Sequence, residues 1–192
     1  MKRKKVGLAL SGGAARGFAH LGVLKVLKEN DIPIDFIAGT SAGSFAGGAF
    51  AAGMSVNEIT KLGEKISWFK MSGLSFSGKG LISNAPIAAL IKERFPFNKF
   101  EDLMIPFAAV ATDIETGEEK IFKGSGDLGF AICASCAIPG IFAPLQDEEG
   151  KLYIDGGVVS PVPTEAVRKM GADIVIAVDV ISSGATYWGK PS

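Results

Sequence analysis

Phe36-Ile-Ala-Gly39-Thr40-Ser41-Ala42-Gly43 is the stretch that decides the fold. A short apolar run ends in Gly-x-Ser-x-Gly and passes into small residues from 42 to 52, which reads as strand, sharp turn and helix. A serine on such a turn sits in strained backbone, so its neighbours must be small. Gly39 and Gly43 remove side chains that would clash as the helix folds back on the strand. The helix N-terminus also places partial positive charge beside the hydroxyl. The competing interpretation is a helix capped by Thr40 or Ser41, with the glycines serving packing.

The same pattern stands just upstream. Residues 6–10 are an apolar run closed by Ser11-Gly12-Gly13, a buried strand by pattern. Helical periodicity follows from 17 to 30 and stops at Pro33. A chain that opens strand–helix–strand–helix predicts an α/β domain: a central, mostly parallel sheet sandwiched by helices. Further on, helices are expected over 56–66, 85–95, 128–134 and 163–170. Strands are expected over 107–112 and 119–123, around a turn at Thr116-Gly117. Two arms, 141–145 and 152–154, flank a hairpin-like turn at Asp147-Glu-Glu-Gly150, and a last buried strand covers 174–180. One domain is expected over 1–182, with a polar tail at 183–192.

Composition limits what this domain does. The 192 residues are 47% apolar, with a mean hydropathy of +0.31, enough for a real core. The apolar runs all break well short of the ~20 residues that cross a bilayer. Lys+Arg and Asp+Glu balance at 20 each, whereas a nucleic-acid binder carries a basic excess. Cys133 and Cys136 have no second cysteine pair and no partner histidine, which argues against zinc and against a disulfide framework. Met1-Lys-Arg-Lys-Lys5 is basic, but the apolar stretch after it is too short for a signal peptide. A cytoplasmic protein is expected. The basic run reads as a solvated tail, or else as a weak attraction for an anionic lipid surface.

If Ser41 is a nucleophile, it needs an oxyanion hole and a base. Ser11-Gly12-Gly13-Ala14-Ala15-Arg16-Gly17 joins the first strand to its helix and offers backbone N–H groups at a helix start. A dinucleotide loop would need Gly at position 14. Beside a nucleophile, Gly12, Gly13 and Ala14 are the better candidates for an oxyanion hole, with Arg16 and Gly17 supporting the loop. The single histidine, His20, precedes Ser41 and lies among small and apolar residues, so it reads as a packing histidine. Asp155 ends a short strand and is followed by Gly156 and Gly157, which permit close backbone approach. It is either the base or an ordinary Asp-Gly turn.

These segments in this order resemble the patatin-like phospholipase family, in its short bacterial form. The family carries a glycine-rich oxyanion loop, then Gly-x-Ser-x-Gly, then Asp-Gly-Gly or Asp-Gly-Ala. They stand here at Gly12–Gly17, Gly39–Gly43 and Asp155–Gly157. Ala111-Thr-Asp-Ile-Glu-Thr-Gly117 and Ala134-Ser-Cys-Ala-Ile-Pro-Gly-Ile-Phe142 are similar too. The resemblance implies a Ser41–Asp155 dyad without histidine and hydrolysis of lipid acyl esters, phospholipid or lysophospholipid. It implies no metal or organic cofactor. The partners expected are a lipid or acyl-ester substrate and a peripheral membrane contact. Ala14 departs from the Gly of many members. Members also continue past the last strand, so this sequence would end before further C-terminal helices. An acyltransferase with the same nucleophile, or a regulatory protein that keeps the fold, are the alternatives. The stretch 68–81 is either an acyl-binding or membrane-facing lip, or core beneath a loop.

Overall fold

A computed structural model describes residues 3–71 and 82–181, with backbone alone for 66–71. The lip expected at 68–81 and the tail expected at 183–192 therefore lie outside the described residues, apart from the backbone of 68–71.

Strands β1 (Val6–Leu10), β2 (Phe36–Thr40), β3 (Phe107–Asp113), β4 (Glu119–Lys123), β5 (Leu145–Gln146), β6 (Leu152–Asp155) and β7 (Ile174–Val178) form one sheet in the order β5-β6-β3-β2-β1-β7, with β4 pairing β3. The core pairs β7–β1, β1–β2 and β2–β3 are parallel, and β4, β5 and β6 add antiparallel pairs. The helices are α1 (Phe18–Glu29), α2 (Ala42–Ala51), α3 (Val56–Met71), α4 (Ala85–Arg94), α5 (Leu128–Ser135) and α6 (Thr164–Lys169).

Side chains alternate across the pleat, and the two faces are unlike. Leu8, Leu10, Ile37 and Phe107 join α1 to α5 in the larger core. Ala9, Ala38, Ala108 and Val110 face the other way, onto Ala166 and Val167 of α6. Small residues there let α6 lie close, and a side chain at Gly7 would overlap Val167.

Local signals explain the element ends. α3 opens with a capping box: Ser55 Oγ accepts the Glu58 N–H at 3.3 Å, and the Glu58 carboxylate accepts the Ser55 N–H at 2.8 Å. It runs to Met71 rather than stopping at 66, and no Gly or Pro stands between 66 and 71 to break it. The arm expected over 141–145 is a strand only at Leu145–Gln146. Residues before it bridge Ile82 instead, through Phe142. The last strand is not buried as expected. Among the described residues β7 is an edge strand that pairs β1 alone, and Ile174 and Ala177 are exposed. Arg3, expected in a solvated tail, is tied to Asp35 by bonds of 2.6 and 2.8 Å.

Candidate active site

The edge of β3 brings two strand ends together. β4 occupies one edge of β3, from Ala108 to Thr112. The other edge pairs β2 as far as Thr40↔Val110, and β6 from Asp155↔Ala111 onward. β2 runs parallel to β3 and β6 antiparallel, so their C-terminal ends meet head to head. Ser41 follows Thr40 where β2 leaves the sheet. Asp155 is the last residue of β6. Both are nearly buried, at 7% and 6% exposure.

Ser41 has φ +52° and ψ −122°, outside the regions that L residues favour. It stands at the N-cap of α2, yet its side chain makes no capping bond. The Thr40 hydroxyl does not cap α2 either. It donates to the Ser160 carbonyl at 2.8 Å. The capped-helix interpretation of this segment therefore fails. The glycines are required by space: a Cβ on Gly39 would overlap the Gly43 carbonyl, and one on Gly43 would overlap the backbone of Leu10 and Ser11.

A residue that sequence reasoning missed holds this turn. Ser135, fully buried at the end of α5, accepts the Ser41 N–H at 2.8 Å and donates to the Val110 carbonyl at 2.6 Å. Its hydroxyl thus ties the turn to β3. The signals in the sequence are a lone hydroxyl at the end of an apolar helix and its place in the 134–142 stretch that resembles the family.

Asp155 is fixed from three sides. Its Oδ1 accepts the Gly157 N–H at 2.7 Å. Its N–H donates to the Ala137 carbonyl at 2.9 Å, and its carbonyl accepts the Thr112 hydroxyl at 2.9 Å. Gly156 must be glycine because a Cβ there would overlap the Val110 carbonyl.

The glycine-rich loop lies beside Ser41. A Cβ on Gly12 would lie 3.5 Å from the Ser41 Cβ, and one on Gly17 would lie 2.5 Å from the Ala42 Cβ. Gly13 has φ +148° and Ala14 φ +48°. Ala14 therefore adopts a conformation that glycine takes without cost. Of the three expected donors, Gly12 is already engaged: its N–H donates to the Pro161 carbonyl at 3.0 Å. The N–H groups of Gly13 and Ala14 meet no acceptor among the described residues. Arg16 donates to the Ile181 carbonyl at 3.1 Å, fastening the loop to the segment after β7.

His20 is fully buried, and its Nε2 lies 2.8 Å from the Ser11 carbonyl. Burial pushes its pKa below the usual histidine value, against the smaller opposing effect of that bond.

Ser41 opens onto a cavity of about 290 Å³ with apolar walls that include Phe18, Leu21, Phe45, Ile59, Ile87 and Ile132. Cys136 also lines it, whereas Cys133 is buried, and no disulfide joins the two. Burial pushes the Cys133 thiol far above its usual value, which keeps it an un-ionised core residue. Among the described residues no group of three or more His, Cys, Asp or Glu could hold a metal ion. No described helix is long and apolar enough to cross a membrane.

The chain matches the family model for patatin-like phospholipase over residues 8–168. It is 38% identical over 184 residues to a patatin-like phospholipase domain-containing protein of Caenorhabditis elegans, covering 91% of this chain and 13% of that one. It is 37% identical to an uncharacterized NTE family protein of Mycobacterium tuberculosis, covering 94% of this chain and 50% of that one. Human patatin-like phospholipase domain-containing protein 6 is 34% identical, with 94% of this chain and 14% of that protein covered. The chain thus spans half or less of the length of these relatives. Among solved structures, VipD from Legionella pneumophila is similar in fold, with a TM-score of 0.64 and 16% identity over 82% of this chain and 46% of that one.

Proposed function

This chain belongs to the patatin-like phospholipase family, and from that premise we propose that it hydrolyses lipid acyl esters with Ser41 as nucleophile and Asp155 as base. The observation that carries the proposal is the meeting of the two strand ends at the edge of β3, with Ser41 strained, uncapped and on the wall of an apolar cavity.

The acyl chain enters the cavity, and its ester carbonyl comes to rest at the Ser41 hydroxyl. Ser41 Oγ attacks the carbonyl carbon while the Asp155 carboxylate takes the hydroxyl proton. Negative charge collects on the former carbonyl oxygen, where the N–H groups of Gly13 and Ala14 stabilise it. Such donors act strongly because they are fixed before the charge forms. The intermediate collapses, the C–O bond to the alcohol breaks, and Asp155 returns the proton to the leaving oxygen. Water then attacks the acyl-Ser41 ester with Asp155 accepting its proton; the C–O bond to Ser41 breaks, Asp155 returns the proton to Ser41 Oγ, and the carboxylic acid departs. No metal or organic cofactor enters any step. An apolar cavity favours a fatty acyl group, and phospholipid or lysophospholipid at a membrane surface is the substrate class proposed.

The test is a panel of p-nitrophenyl esters, phospholipids and lysophospholipids, with Ser41→Ala as control and an acceptor alcohol in a parallel series. Free fatty acid released by the wild type and not by Ser41→Ala supports the proposal. No release from any substrate, or equal release by Ser41→Ala, overturns it. Acyl groups diverted mainly onto the acceptor would assign a transferase instead.

A further inference from the structure

His20 is a buried titratable side chain beside the site that the proposed mechanism leaves unused. Its environment is specific. A carbonyl oxygen only accepts, so the 2.8 Å contact with Ser11 places the imidazole proton on Nε2. Nδ1 is buried with no hydrogen-bond partner. Burial holds the ring in its neutral form at pH 7.

The bonded carbonyl belongs to the peptide that also carries the Gly12 N–H. In a trans peptide these two groups point in opposite directions. His20 on α1 holds the carbonyl, and Pro161, in the loop after Asp155, holds the N–H at 3.0 Å. The plane is pinned from both sides. The next peptide is fixed from this one: Ser11 Oγ donates to the Gly12 carbonyl at 2.8 Å and accepts the Val180 N–H at 2.9 Å. With the Gly12 carbonyl held, the Gly13 N–H on the other side of that plane has a set direction, and it meets no acceptor among the described residues.

We propose that His20 is a positioning residue for the oxyanion loop: its Nε2–H clamps the Ser11 carbonyl and thereby aims the N–H of Gly13. It moves no proton during the reaction. This inference rests on the proposed hydrolase mechanism and adds to it a second role for the first helix, as the fixed wall against which the loop is set.

Two measurements test it together. Imidazole nitrogen chemical shifts of the wild-type protein, read by NMR, should show Nε2 protonated and Nδ1 bare. Steady-state kinetics on one soluble ester then compare His20→Met with His20→Gln. Methionine fills space without a donor. Glutamine places an amide N–H near the former Nε2. His20→Met should lower kcat about tenfold or more, less than removal of an oxyanion donor outright. KM should change little, because the loss falls on the transition state. His20→Gln should recover most of kcat. An Nδ1–H tautomer, or a folded His20→Met with wild-type kcat, overturns the proposal. Should His20→Met fail to fold, the tautomer and the His20→Gln kinetics decide it: an Nε2–H ring with recovered kcat supports the clamp, and either result reversed overturns it. Ser41→Ala is run alongside. Hydrolysis surviving in that variant contradicts the nucleophile assignment itself, whatever His20 does.

Discussion

Thr40 and Asp155 take consecutive positions along one edge of β3, Thr40 opposite Val110 and Asp155 opposite Ala111. Ser41, one residue beyond Thr40, leaves the sheet where β6 arrives from the opposite direction. The pairing register therefore puts a hydroxyl and a carboxylate, 114 residues apart in sequence (positions 41 and 155), at one point of the sheet. Neither depends on a flexible loop for its position. The turn at Ser41 is held by Ser135, and the carboxylate by Gly157.

Ser135→Ala should destabilise the protein and loosen the nucleophile turn. The substitution leaves the Ser41 N–H and the Val110 carbonyl without their partner, and a buried orphaned group costs about 1–3 kcal/mol. A loss of about 2 kcal/mol or more is expected, lowering Tm by roughly 4–8 °C for a domain of this size. Differential scanning calorimetry checks this. An unchanged Tm would mean that the turn is held by other contacts.

The repeated strand–turn–helix units were legible in the sequence because each apolar run is closed by Gly and Ser. The Ser41 segment was legible for the same reason: close packing demanded glycine at 39 and 43. The meeting of β2 and β6 was not, because it depends on which strand takes over the edge of β3 after Val110, a long-range pairing with no local signature. The sequence pattern also made β7 a buried strand. Hydrophobicity reports that a strand packs, not that it stands at the sheet edge with Ile174 exposed. Ser135 escaped notice because one hydroxyl in an apolar helix has many readings. His20 was recognisable as buried, but its bond to Ser11 depends on how α1 lies against the loop. The spent N–H of Gly12 depends likewise on where Pro161 falls.

Ala14→Gly should stabilise the protein. Ala14 sits at φ +48°, a conformation that costs an L residue about 1–2 kcal/mol. Glycine removes that strain and gives back about 0.5–1 kcal/mol in chain entropy. A net gain of up to about 1.5 kcal/mol follows, visible as a higher midpoint in urea unfolding. A lower midpoint would contradict the observed backbone at this position.

Asp35 should carry an acid-dependent part of the stability. Hydrogen bonds from the Arg3 guanidinium, and then from the Val6 N–H, hold its pKa down to about 2, from 3.8. Its folded-state pKa is depressed, so its contribution is fully present above pH ~4 and is lost as pH falls towards 2. The stability difference between wild type and Asp35→Asn should therefore be constant near neutrality and shrink between pH 4 and about 2. Urea unfolding at several pH values measures it. A gap that widens on acidification would show that the pair with Arg3 does not form.

The central claim is that Ser41 is the nucleophile and Asp155 its base. Active-site labelling with a fluorophosphonate, followed by peptide mass spectrometry, tests both residues in one measurement. The wild type should carry a single adduct, on Ser41, and Ser41→Ala should carry none. Asp155→Asn keeps the shape of the side chain and removes the proton acceptor, so labelling of Ser41 should slow by about a hundredfold or more, the scale of a lost general base. An adduct on any other residue, or a folded Asp155→Asn labelled at the wild-type rate, would contradict the account.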